Sequence, residues 1–111
     1  MFRLMQTQDT PVLEPETGVQ TKLRYSPRWR IIGHNDDVTS VEFVVILLMK
    51  VFHKSERRAS ELTLEVHESG SATFYLGTKE ACELKVDQVA MMNLEYSENL
   101  KVSMEPIEDE A

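Results

Sequence analysis

Three consecutive side chains, Asn35, Asp36 and Asp37, offer hydrogen-bond acceptors directly ahead of an apolar run, and His67 follows about thirty residues later. Amide and carboxylate oxygens accept, and a neutral imidazole accepts through one ring nitrogen. Such a set can shape a turn, because Asn and Asp side chains bond the backbone two residues on. It can also hold a ligand. A metal would draw in His34 as well, but no spacing here matches an EF-hand loop or a zinc pair, so no metal is expected. A hydrolytic reading is weaker: Ser40, His67 and an Asp occur without a nucleophile elbow or any other placed motif. On the residues alone, an Asx turn accounts for the cluster best.

These side chains need elements to position them. Residues 28–32, RWRII, read as a first strand. Thr39 stands three residues before Glu42, the capping-box spacing, so a helix is expected to start there and run to about Phe52. It is apolar on nearly every side, as suits a helix packed between a sheet and another helix. Ser55 can cap a second helix, whose Ala59, Leu62, Thr63 and Val66 follow three-four spacing, and Gly70 can end it in a left-handed turn. SATFYLG, residues 71–77, alternates with Ala72, Phe74 and Leu76 on one face, a second strand. Thr78 can cap a third helix through about Glu95, with Glu80 in its first turn. LKVSME, residues 100–105, alternates again with Leu100, Val102 and Met104 inward. The order β-α-α-β-α-β specifies an α+β sandwich, a three-stranded antiparallel sheet covered on one face by three helices.

At 111 residues the chain suggests one domain. Its net charge of −7 argues against a nucleic-acid backbone or an anionic membrane as partner. A single cysteine, Cys82, excludes an internal disulfide framework and fits a reducing compartment. The longest apolar run, FVVILLM, is too short to span a bilayer, and the first ten residues lack a signal-peptide core. A cytoplasmic monomer without cofactor is the expectation. Residues 1–27 carry three prolines and no sustained periodicity, which suits a flexible extension. The folded domain is expected over residues 28–106, followed by an acidic tail, 107–111.

The pattern Asn35-Asp36-Asp37-x-Thr39-x-x-Glu42-Phe43-Val44-Val45, then Val66-His67 and Gly70, then Thr78-x-Glu80-x-x-Glu83-x-Lys85-Val86, resembles the ClpS family. The likeness runs from about Trp29 to Glu105. It implies a non-enzymatic adaptor of a Clp-type AAA+ protease, one that recognises proteins by a bulky hydrophobic first residue and delivers them to a ClpA-type unfoldase. It assigns Asn35, Asp36 and His67 to the substrate's α-amino group. Val41, Val44, Thr63, Val66 and Leu100 would line the side-chain pocket, and Glu80 and Lys85 would meet the unfoldase. Residues 1–27 would take part in delivery. Where the family usually has Pro, Met and Met, this chain has Ser40, Val41 and Thr63, and Gly33-His34 replaces aliphatic residues. The glycine spacing after the second strand also differs.

The implied chemistry suits these residue types. A free N-terminus is a small cation beside its first side chain, so its receptor needs acceptors next to an apolar cavity. Charge-assisted bonds contribute about 1.5–3 kcal/mol each, and burial of one large apolar side chain about as much. A micromolar complex, about −8 kcal/mol, is then within reach after association costs. Val41 and Thr63 in place of Met shorten the pocket walls and add a hydroxyl, so a roomier, slightly more polar pocket that tolerates β-branched first residues is expected. Protonating His67 would set a second cation against the ammonium, so affinity should fall on acidification. One alternative keeps the docking surface without N-terminal recognition, as a regulator of the unfoldase; another is an unrelated small interaction domain of similar layout.

Overall fold

A computed structural model of the chain describes residues 28–108. The expected extension, residues 1–27, lies outside them, as do residues 109–111 of the expected tail. The elements follow in the order β1 (Arg28–His34), α1 (Val41–Lys50), α2 (Glu56–Ser69), β2 (Ser71–Gly77), α3 (Lys79–Tyr96) and β3 (Lys101–Ile107). β1 is the central strand, antiparallel to both β2 and β3. This is the α+β arrangement the sequence specifies. β3 extends to Ile107, which pairs with Arg28.

Ile31, Ala72 and Phe74 point from the sheet into a core shared with Leu47, Leu48, Leu62 and Val89. The other face of the sheet is polar. There Arg30 donates from Nε to Glu105 at 2.7 Å and also reaches the Thr73 hydroxyl, while His34 Nε2 lies 2.7 Å from Ser103 Oγ. Among the described residues, the three helices pack on the apolar face.

Two local expectations are corrected. The first concerns Leu76, expected inward but half-exposed. A bulge between Ile31 and Ile32 shifts the β1–β2 register, so Leu76 lies opposite Arg30 and Tyr75 opposite Ile31. Tyr75 then packs against Phe52, with ring centroids 6.1 Å apart.

The second concerns the cap of α1. Ser40, not Thr39, is the N-cap, and its hydroxyl accepts from the Phe43 amide at 3.2 Å. Glu42 therefore falls one position short of closing a capping box. Glu98, remote in sequence, takes that part: its carboxylate accepts from the Ser40 amide at 3.4 Å and from the Ser40 hydroxyl at 3.0 Å. Ser55 and Thr78 cap α2 and α3 as expected, and Gly70 ends α2 at φ 93°.

Candidate functional site

The loop from β1 to α1 is held at both ends. The Asn35 amide donates to the Gly70 carbonyl at 2.9 Å, joining the loop to the end of α2. Asp36 then closes the turn. One carboxylate oxygen accepts from the Val38 amide at 2.8 Å and the Thr39 amide at 2.7 Å, and the other accepts from the Thr39 hydroxyl at 2.8 Å. The Thr39 amide does most to hold this carboxyl below its ordinary range. Partial burial opposes it, and the Val38 amide, the Thr39 hydroxyl and the charge of Lys101 assist. Asp36 is thus both the turn-maker and a fixed negative charge, and its second oxygen keeps room for another donor. The Asx turn therefore belongs to Asp36, which holds both the amide and the hydroxyl of Thr39 ahead of the helix.

Helix α2 supplies Thr63, Val66 and His67. The Thr63 hydroxyl donates to the Ala59 carbonyl of its own helix at 2.8 Å. Its proton is committed there, so Thr63 adds space to the wall but little of the expected polarity.

Leu100 arrives from the loop before β3, where Asn93 grips its backbone at both ends. The Asn93 side-chain nitrogen donates to the Leu100 carbonyl at 3.0 Å, and the side-chain oxygen accepts from the Leu100 amide at 3.0 Å.

Together these elements enclose a cavity of about 280 Å³. Val44, Thr63, Val66 and Leu100 are buried and supply its apolar wall, while Val41 stands exposed on it. Asn35, Asp36 and His67 line the same cavity, so all eight residues expected at the site meet there. The volume lies at the small end of ligand pockets and suits one side chain rather than a larger molecule. His34, Asp37 and Thr39 also line it. Asp37 belongs to the acceptor run read in the sequence, and Asp37 and Thr39 to the family pattern, but none of the three is assigned to the pocket from sequence. Asn93 and Glu98 position the site without lining it, and no local pattern marks either one.

Glu80 and Lys85 lie outside the cavity. Glu80 is exposed in the first turn of α3. The Lys85 amine donates to the Val51 carbonyl at 2.7 Å, at the end of α1, and sits 5.6 Å from the Tyr75 ring centre. Lys85 therefore ties α3 to α1. Ser40, the nucleophile of a hydrolytic reading, has its hydroxyl held by Phe43 and Glu98. Among the described residues no group of three His, Cys, Asp or Glu is gathered to hold a metal ion, and no helix is long and apolar enough to cross a membrane.

The sequence model of the ATP-dependent Clp protease adaptor protein ClpS matches residues 24–103. The chain belongs to the ClpS family. Among ClpS-family relatives, the adapter protein of Myxococcus xanthus is 38% identical over 100 residues, covering 90% of this chain and 92% of the relative. That of Desulforapulum autotrophicum is 40% identical over 87 residues, 78% and 84% of the two chains. The solved structure of Agrobacterium tumefaciens ClpS2 bound to L-phenylalaninamide superposes with a TM-score of 0.70 at 27% identity, covering 74% of this chain and 99% of that one. The ClpS family comprises adaptors rather than proteases.

Proposed function

We propose that this ClpS-family adaptor captures proteins by a free N-terminal residue with a bulky apolar side chain and delivers them to a ClpA-type unfoldase. The observation that carries the reading is the meeting of an apolar wall and an acceptor rim in one small cavity. Asn35, Asp36 and His67 receive the ammonium, with Asp36 supplying its charge. Val41, Val44, Thr63, Val66 and Leu100 receive the side chain. L-phenylalaninamide, the molecule bound to the Agrobacterium relative, pairs a free amine with a bulky apolar side chain, the same two chemical features.

With Val41 and Thr63 on the wall, the pocket also admits β-branched first residues, Ile and Val. Docking to the unfoldase is assigned to Glu80 and Lys85, outside the cavity. The adaptor acts as a cytoplasmic protein without cofactor, with residues 1–27 assisting delivery.

The test is a degradation assay with a ClpA-type unfoldase and its peptidase. Reporters beginning with Leu, Phe, Ile or Ser are compared with and without the full chain. Faster turnover of the Leu, Phe and Ile reporters, abolished by Asn35→Ala with His67→Ala, is the expected result. Equal turnover with and without the chain would overturn the proposal. Binding to the unfoldase with indifference to every reporter would leave only a regulator.

A further inference from the structure

A second apolar hollow adjoins the first. Helices α1 and α2 leave between them a groove of about 370 Å³ lined by Val41, Val45, Ser60, Thr63, Leu64 and His67. Val41 and Val45 lie one turn apart on α1, and the four α2 residues share one face by three-four spacing. Val41, Thr63 and His67 line the cavity as well, so the two hollows meet at a common wall. Val41 is 58% exposed and Leu64 54% exposed. Ten large apolar side chains are exposed among the described residues, and Val41 and Leu64 are the two of them that line this groove.

We propose that this groove receives an apolar side chain from the second or third residue of a captured protein, so that the adaptor reads beyond the first position. The inference rests on the capture reading above. An extended peptide advances about 3.3 Å per residue, so two residues carry it roughly 7 Å, enough to cross a wall about one helix turn wide. With its ammonium and first side chain fixed in the cavity, the following residues leave over Val41 and His67, which are also groove residues. The lining is apolar apart from Ser60, Thr63 and His67, so an Asp or Lys side chain gains nothing by entering. A second copy of this chain is a poorer occupant, because two chains of net charge −7 repel.

The test is fluorescence anisotropy with the full chain. Free-amine peptides beginning with Leu carry Ala, Leu or Asp at position two or three. Leu64 lines the groove but not the cavity, so the variant Leu64→Ser separates the two hollows. Leu in place of Ala at one of the two positions is expected to tighten binding about 3- to 10-fold, and Asp to give no gain. L64S should erase that gain and leave the Ala peptide within about twofold of wild type, a margin below about 0.5 kcal/mol. Equal affinity for Ala and Leu peptides, or a gain retained in L64S, would overturn the groove assignment while amine-dependent capture still stood. Binding that ignores acetylation of the peptide amine would remove the capture reading and this one with it. A dimer in sedimentation that L64S dissolves would give the groove to a second copy instead.

Discussion

Asn93→Ala tests whether a residue that never touches the cavity holds one of its walls. Asn93 makes two bonds of 3.0 Å each to the backbone of Leu100, which is 4% exposed. Alanine leaves a buried amide and a buried carbonyl without partners. Each orphaned group costs about 1–3 kcal/mol, and partial access of water through the shortened side chain trims the sum to roughly 2–3 kcal/mol. For a domain of this size each kcal/mol lowers Tm by about 4–8 °C, so a fall of roughly 10–20 °C is expected. Asn93→Asp keeps the acceptor for the Leu100 amide but sets a carboxylate oxygen against the Leu100 carbonyl. It should recover at most half of the loss. Thermal and urea unfolding followed by circular dichroism measure the stability. Titration with a free-amine Leu peptide at a temperature where the variant is folded measures the wall, with about 3- to 10-fold weaker binding expected. A variant within 2 °C of wild type with unchanged affinity (~0.5 kcal/mol or less by the same scaling) would refute the clamp.

Gly33→Ala should destabilise by about 2–4 kcal/mol in urea titration. A β-carbon there would lie 2.1 Å from the tip of the Phe74 ring, and Phe74 is fully buried against Phe52, so the ring has nowhere to swing. Asp36→Asn keeps an oxygen for the Val38 and Thr39 amides but removes the charge, so it should cost up to about 1 kcal/mol of stability at neutral pH. Because the folded carboxyl is held below its ordinary value of 3.8, that contribution is fully present above this value and lost as pH falls through the lowered one. The gap between wild type and variant should therefore be constant at neutral pH and close in acid. Cys82 is fully buried, and that burial, aided by Glu83, pushes its thiol up. It should resist thiol-specific reagents in the native state and react only on unfolding.

Much of this molecule is legible locally. The caps at Ser55 and Thr78, the left-handed stop at Gly70 and the alternation of the strands each follow from a residue type at a required offset. Eight of the eleven cavity residues are assigned to the site by the family resemblance, which carries tertiary information that periodicity does not. What escaped local reading depends on distant partners. Thr39 and Ser40 are both acceptable caps in isolation; Asp36 holds the first within its turn, and Glu98, more than fifty residues away, binds the second. Leu76 turned outward because a bulge in the β1–β2 pairing moved its strand's register, and bulges leave no mark in a seven-residue alternation. Gly33, a departure from the usual aliphatic residue, is explained only once Phe74 is seen to fill the space a β-carbon would need.

The central claim is that one cavity takes an ammonium and its neighbouring hydrocarbon together. The most direct measurement is the dissociation constant of one Leu-initiated peptide with its amine free and again with it acetylated. The account predicts a loss of at least about a hundredfold on acetylation, two or more charge-assisted bonds' worth. Equal affinity for the two forms would contradict it.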